Sequence, residues 1–277
     1  MTVQGGRLYV VSTPIGNLAD FSPRAVDTLR EVSLVLAEDT RHSRPLLAHY
    51  GIDTPLAAYH EHNEARATPR LVARLLAGES LALISDAGTP LLSDPGARLV
   101  RAAIDAGIPV VPVPGASALL AALVASGISA DRFTFFGFLP RRGRERDAAL
   151  EGIGALPHTA VVYEAPGRLA ATLADLAAHG AGDRAAAVGR ELTKQFEEHR
   201  RGTVSELARY YETAPPRGEV VVVLAGAVPS SPDEGEARKR ARALRDAGVS
   251  ARDVARTLVA EHGVARNLAY RLAHEAP

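Results

Sequence analysis

Along the first half of the chain, short apolar runs alternate with stretches of helical period. Leu8 to Val11, Leu34 to Leu36, Leu81 to Ile84 and Val110 to Val113 are brief and rich in aliphatic side chains, as expected of strands buried on both faces. Between them, apolar positions recur three or four residues apart. Ala25, Val26, Leu29 and Val32 share one helical face behind Ser22 and Pro23, a cap followed by a first-turn proline. Leu71, Leu75 and Leu76 form a second stripe, and Leu99, Ala103 and Ile104 a third. Such alternation predicts parallel strands covered by helices. A further set of runs, Phe133 to Phe136, Ala160 to Tyr163, Ala185 to Val188 and Val220 to Leu224, predicts a second sheet beyond the helix near Leu119 to Ala125. The expected organisation is an α/β domain over 1–118, a second over 119–228, a linker over 229–235 with the sequence PSSPDEG, and a helical extension over 236–277.

In the extension, Ser250 and Asp253 form a capping-box-like start, S-x-x-D, to the helical pattern of Val254, Ala255 and Leu258. The run GVSARDVARTLVAEHGVARNLAYRLA has the form of a helix-turn-helix, whose second helix would present Arg266, Asn267, Tyr270 and Arg271 to nucleic acid. The alternative is a small helical cap with solvated arginines.

At 277 residues, 47% hydrophobic and 23% charged, the chain has enough apolar material for two compact units. Acidic and basic residues balance at 32 each, so attraction to nucleic acid has to come from local patches and not from a global field. The absence of cysteine excludes disulfides, thiolate catalysis and the usual structural zinc clusters, and it fits a reducing cytosol. No run reaches the roughly 20 apolar residues of a membrane span, and Met1 to Arg7 lacks a basic segment followed by an apolar one. The expectation is a cytoplasmic protein with no membrane partner and no metal site.

Three loops follow strands at the edge where open parallel sheets hold ligands. The first is STPIGNL at 12–18, where Gly16 lets the backbone come close to a ligand and Pro14 stiffens the turn. The second, SDAGTPLLSDPG at 85–96, offers exposed backbone groups in a preshaped turn. In it Asp94 fits the N-cap of a helix starting at Pro95, whereas Asp86 has no such structural duty. The third, VPGAS at 113–117, opens a helix, with Ser117 as cap or ligand contact. No G-x-G-x-x-G is present, so the dinucleotide fingerprint is missing. Glu38 and Asp39 do end the second strand at a spacing a dinucleotide fold would use, which keeps a nicotinamide-binding reading open.

Seven ordered blocks, VSTPIGNLADFSPRA, LAEDTRHSRPLL, LISDAGTPLLSDPG, VPVPGASALLAAL, FTFFGFLPRRGRER, VVYEAPGRL and GRELTKQFEE, closely resemble the ribosomal RNA small subunit methyltransferase I family, within the tetrapyrrole methylase superfamily. The resemblance covers nearly the whole chain. It implies a two-domain α/β fold of the tetrapyrrole methylase (class III methyltransferase) type, usually homodimeric, with S-adenosylmethionine in a cleft between the domains. The implied reaction is 2′-O-methylation of a cytidine in the decoding region of 16S rRNA, with that rRNA, within the 30S subunit, as the partner. Carried onto this sequence, the cofactor contacts of the superfamily fall at Pro14, Ile15 and Gly16, at Ile84, Ser85, Asp86 and Thr89, at Ser117 and Ala118, and at Glu164 and Leu192. Tetrapyrrole-modifying relatives carry a glycine-rich first loop and a GlyAspPro second loop. Here these read TPIGN and SDAGTP, which favours the RNA branch.

Glu38, Asp39, Arg41 and His42 lie just past the second strand, and Glu191 and Lys194 follow a strand of the second domain. For the implied reaction, Asp39 or Glu38 would position the acceptor or act as base, Lys194 would help electrostatically, and Arg41 and His42 would contact RNA phosphate. The alternative is an interdomain salt-bridge network. Arg141, Arg142, Arg144 and Arg146, around Gly143, make a concentrated basic stretch for RNA phosphates, or else a solvated helix start. Two other functions stay open from the sequence: a tetrapyrrole (corrin precursor) methyltransferase, and a non-catalytic nucleic-acid-binding protein working through its terminal helices.

Overall fold

The computed structural model describes residues 6–227 and 234–275. The chain up to Gly226 forms one compact unit and the chain from Ala227 a second. Among the described residues no helix is long and apolar enough to cross a membrane.

In the first unit, β1 (Leu8–Val11), β2 (Leu34–Ala37), β3 (Leu56–Ala58), β4 (Leu81–Ile84) and β5 (Val110–Val113) form a parallel sheet in the order β3-β2-β4-β1-β5. Alternation divides its side chains between two faces. Val11, Val35, Ala37, Ala82 and Ile84 pack with α1 (Pro23–Glu31) and α2 (Thr40–His49). Leu8, Leu34, Leu36, Leu81 and Leu83 pack with α3 (Glu64–Leu76) and α4 (Ala97–Asp105). Burial on both sides is why these strands read as unbroken apolar runs. Leu76 and Ile104, assigned to the buried stripes by period, are instead 62% and 55% exposed. Each lies in the last turn of its helix, one position past the buried Leu75 or Ala103.

The neighbours β2 and β4 send the chain in opposite directions, β2 outward to β3 and β4 back across β1 to β5. Connections that diverge from adjacent strands open a crevice beyond their carboxyl ends. The turn after β2, which carries Glu38, and the 85–96 loop after β4 are these diverging connections, and the Thr13–Gly88 bridge ties the 12–18 loop to the second of them.

After β5, α5 (Ala118–Ser126) leads into the second sheet, ordered β6-β7-β10-β8-β9. Here β6 (Phe133–Phe138) runs parallel to β7 (Thr159–Glu164), while β8 (Ala185–Arg190), β9 (Glu198–Thr203) and β10 (Val220–Leu224) join by antiparallel pairings. One face is covered by α6 (Arg144–Ala155), α7 (Leu169–Leu176) and α8 (Val204–Thr213). On the other face, Leu119, Ala122 and Leu123 of α5 meet Val161, Val221 and Ile15. That cluster fixes the first loop against the second sheet. The hydrophobic pattern predicts neither β3 nor β9. Both are edge strands, and β9 reads EHRRGT, polar as suits an edge that faces water.

The second unit consists of α9 (Glu234–Asp246), α10 (Ala251–His262) and α11 (Arg266–Glu275) around Ala241, Val254, Leu258 and Leu272. Ser250 caps α10 by accepting from the Asp253 amide at 3.2 Å, and its hydroxyl donates to Asp253 Oδ2 at 2.7 Å. Gly263, in the left-handed conformation, ends α10 three residues before α11. Arg266, Asn267, Tyr270 and Arg271 are all exposed on α11. Of the expected linker, residues 229–233 lie outside the described residues, while Glu234 and Gly235 already belong to α9.

Candidate active site

The first two loops are stapled to each other by backbone bonds. Thr13 N donates to Gly88 O at 2.8 Å and Gly88 N to Thr13 O at 3.1 Å. Thr13 Oγ1 donates to Ser85 O at 3.2 Å, Ser85 Oγ to Gly88 O at 3.0 Å, and the Ser12 and Thr89 hydroxyls pair at 3.0 Å. Thr89 Oγ1 also donates to Ala116 O at 3.1 Å, which ties in the third loop. Ser117 caps α5 by accepting from the Leu120 amide at 3.5 Å. Gly96 closes the second loop at φ 131°, where a Cβ would lie 2.5 Å from Leu83. Helix α4 therefore starts at Ala97 behind a glycine, and Asp94 is not the N-cap expected of it but part of a cavity wall.

That cavity, of about 360 Å³, is within the usual size range for small-molecule sites. Ile15, Asp86, Thr89, Ser117 and Ala118 wall one side, and Tyr163, Glu164, Gly218, Glu219 and the start of β10 the other. A smaller cavity of about 230 Å³ shares Ile15, Asp86, Ala87 and Glu219 with it. Among the described residues, four non-glycine positions have positive φ: Leu91 at 73°, Ser93 at 71°, Glu191 at 51° and Thr193 at 66°. They fall in just two segments, the 85–96 loop and the turn after β8 that leads to Lys194. Strain of roughly 1–2 kcal/mol at each, gathered in the loops that wall the cavities, indicates backbone shaped for a ligand.

Glu38, Asp86 and Asp94 bring carboxylates to the larger cavity. Burial, followed by the nearby Glu38 and Asp86 charges, pushes Asp94 up to about 7. Burial and Asp86 also raise Glu38, which shares a hydrogen bond with Asp94. The two acids thus hold a proton near neutral pH. Asp39 is different. Its Oδ1 accepts from the Arg41 amide at 2.8 Å to cap α2, its Oδ2 meets Arg41 Nη2 at 2.8 Å, and these bonds hold it at about 2. So acidic a carboxylate is a poor proton acceptor at neutral pH. Asp39 is a cap and the counter-ion of the exposed Arg41, and its amide donates to Asp86 Oδ1 at 3.1 Å.

Lys194 lines the smaller cavity with its Nζ 2.9 Å from Glu191 Oε1 and 3.3 Å from Glu219 Oε2. Burial pulls its pKa down, but the two acids outweigh burial and raise it, so it stands as a fixed cation. Its stem lies across Gly16, where a Cβ would come 2.3 Å from Lys194 Cγ. His42 lines the same cavity.

Other sequence-derived positions are placed differently from expectation. Pro14 and Gly16 wall the smaller cavity and not the larger. Ile84, 2% exposed, sits in the core beneath α1, and Leu192, 6% exposed, packs in the α5 cluster, so neither side chain lines a cavity. Glu164 does line the larger cavity, but Ala165 N at 2.8 Å and Arg168 Nε at 3.2 Å occupy Oε1, and Thr172 Oγ1 donates to Oε2 at 2.6 Å. It is an internal strut whose carboxylate is already committed. Arg141, Arg142 and Arg144 are exposed, whereas Arg146 is buried. Arg146 Nη2 lies 2.7 Å from Asp175 Oδ2 and Nη1 donates to Pro140 O at 3.0 Å, so it anchors the basic loop and is not presented to RNA. Phe138, Tyr163 and Glu219 line the larger cavity without having been expected there. Their one signal in the sequence was their place at the ends of strands β6 and β7 and just before β10.

Known proteins of two kinds resemble this chain. Residues 7–208 match the family of tetrapyrrole (corrin/porphyrin) methylases. The chain is 46% identical over 273 residues to a ribosomal RNA small subunit methyltransferase I of Synechocystis sp., covering 98% of both. It is 49% identical over 278 residues to one of Pseudomonas aeruginosa, again covering 98% of each chain. Among solved structures, uroporphyrin-III C-methyl transferase from Thermus thermophilus, complexed with S-adenyl homocysteine, superposes with a TM-score of 0.58 at 22% identity, over 79% of this chain and 97% of that one. Diphthine synthase superposes with a TM-score of 0.60 at 15% identity, over 79% and 89%. At such identities the likeness concerns the fold.

Proposed function

Because this chain belongs to the tetrapyrrole methylase family, and within it stands with relatives named ribosomal RNA small subunit methyltransferase I, we propose that it methylates small-subunit rRNA with S-adenosylmethionine as donor. The acceptor is the ribose 2′-hydroxyl of a cytidine in the decoding region of 16S rRNA, presented within the 30S subunit, and the enzyme works in the cytoplasm. The observation that carries this reading is the 360 Å³ cavity at the switch point, which joins a second cavity through a shared wall. Two adjoining chambers are what a transfer between two bound molecules requires.

The residues fit the donor. Asp86 and the proton-sharing pair of Glu38 and Asp94 together offer net negative charge to a cation, and Ile15, Leu92, Ala118 and Val221 offer apolar surface to a heterocycle. When bound, the sulfonium supplies an electrophilic methyl carbon for in-line displacement. The protein's part is to hold the acceptor hydroxyl in line and to take its proton. Glu38, hydrogen-bonded to Asp94, is the acceptor for that proton, which leaves the ribose hydroxyl as the new carbon–oxygen bond forms. Lys194 keeps a positive charge at the rim, and Arg141, Arg142 and Arg144 extend the basic surface a few residues beyond Phe138. Mapping of ribose methylation in 16S rRNA by mass spectrometry, in cells with and without the gene, should show one cytidine losing its methyl group. An unchanged map would overturn the assignment.

The enzyme acts as a homodimer in this reading. Helix α5 is apolar around its circumference: Leu119, Ala122 and Leu123 are buried, yet Leu120 is 50% and Val124 77% exposed. A helix apolar on all sides calls for cover on its outer face, which a second copy would provide. Light scattering on the eluting protein should give twice 29.2 kDa, and Val124→Glu should move it toward the monomer. A wild-type mass of one chain would refute this.

A further inference from the structure

The smaller cavity has a chemistry of its own. Pro14, Ile15, Leu18 and Leu46 give it an apolar side, and His42, Ser43, Asp86 and Lys194 a polar one. Ser43 is 2% exposed in α2, and its Oγ has no hydrogen-bond partner. A helical serine ordinarily back-bonds to a carbonyl one turn earlier or reaches solvent, and a buried hydroxyl left unpaired calls for an explanation. Here the hydroxyl belongs to a cavity wall, so a ligand can supply the partner that the protein does not.

We propose that the smaller cavity receives the base of the target nucleotide, a pyrimidine turned out of the RNA stack, with Ser43 Oγ bonding to its polar edge. This rests on the rRNA methyltransferase reading above. At about 230 Å³ the space suits a single planar ring and is too small for a tetrapyrrole. A hydroxyl can donate to or accept from a base edge, and a carboxylate such as Asp86 accepts from the exocyclic amine of cytosine while repelling the carbonyl that uracil carries in its place. Sequence-specific recognition of RNA commonly takes unstacked bases and reads their hydrogen-bonding edges with protein side chains. The wall shared by the two cavities brings the ribose of a nucleotide held here next to the donor chamber. Lys194 Nζ, fixed at the rim by Glu191 and Glu219, gives the backbone of that nucleotide a cation to meet.

The test compares wild type, Ser43→Ala and Ser43→Val. Donor affinity is measured by calorimetry, and methylation kinetics are measured on 30S subunits and on an rRNA transcript with or without an abasic residue at the target. Alanine favours the helix and should not impair folding. Ser43→Ala should raise the KM for RNA about 3- to 10-fold, the worth of one hydrogen bond, and Ser43→Val, which also fills space, should raise it further. Donor Kd should stay within about twofold, and the alanine penalty should vanish on the abasic transcript, where the contact has no base to engage. An RNA KM unmoved in both variants, a donor Kd that rises in step with it, or a penalty that persists on the abasic transcript would each overturn the base pocket alone. Wild type that binds no donor and methylates no RNA would overturn the rRNA methyltransferase reading itself, and the pocket with it.

Discussion

Glu38→Gln should slow single-turnover methyl transfer by about 10²- to 10³-fold at saturating donor and RNA, the usual worth of a positioned proton acceptor, while Asp39→Asn should change it by no more than about threefold. The contrast arises because Arg41 holds Asp39 at about 2, whereas Glu38 is raised by burial and by Asp86 and shares a hydrogen bond with Asp94. In the free enzyme the pair should titrate as a unit, with an apparent midpoint near the value of about 7 found for Asp94. A bound cation favours the charged form, so the midpoint in the donor complex should lie lower. Rates should rise with pH through that midpoint and then level off. A Glu38→Gln rate equal to wild type, or a rate independent of pH, would remove the pair from the chemistry. The same pair should also leave a mark on stability. Asp94 keeps its proton up to about 7 when folded, against 3.8 in its ordinary state, so between these values the folded chain binds more protons. The stability this carboxyl adds is complete below the lower value and is lost as pH rises through the upper one. Asp94→Asn should therefore raise Tm by about 2–5 °C at pH 8, allowing for solvent screening in the cavity, and should give no gain at pH 4.

Arg146→Ala should cost about 2–3 kcal/mol of stability and lower Tm by several degrees. Arg141→Ala, Arg142→Ala and Arg144→Ala should each stay within about 0.5 kcal/mol. Arg146 is 10% exposed in its side chain and is held by Asp175, by the Pro140 carbonyl and by Thr172, whose hydroxyl in turn donates to Glu164 in the cavity wall. Removing it takes from the Thr172 oxygen its donor and leaves the Pro140 carbonyl only the longer bond from Arg168 Nη2, at 3.3 Å. Asp175 is 45% exposed and can turn to water, which keeps the cost below that of a fully buried pair. On RNA binding the order should invert: each exposed arginine lost should reduce the salt slope by about 0.7 if it meets a phosphate of a single strand. Denaturant melts and salt-dependent binding measure the two effects. A stable Arg146→Ala protein with a reduced slope would return Arg146 to the RNA surface.

Arg146 also illustrates what the sequence offers and where it misleads. As one of four arginines in RRGRER it reads as part of a charged patch, yet it falls four residues before Leu150 and seven before Ile153, the buried face of α6. Helical period carried the answer, and local charge hid it. The first sheet was legible because its strands are covered on both sides and cannot tolerate polar residues. Edge strand β9 was not, since an edge in water needs no apolar signature. Asp94 passed for a helix cap because Pro95 follows it. Only the φ of Gly96, fixed by the approach of Leu83, shows that the helix waits until Ala97. The loops at the switch point could be identified as ligand-facing from sequence. Which of their side chains are already engaged, as Glu164 is by Arg168 and Thr172, depends on partners far along the chain.

The doubled bond between Thr13 and Gly88 has a bearing on protein engineering. Turns 12–18 and 85–96 take their shape from each other as much as from their own residues, so a donor analogue of altered size cannot be accommodated by rewriting one of them. A graft from a relative would have to carry both turns, along with the Thr89 link to Ala116, as a single transplantable part.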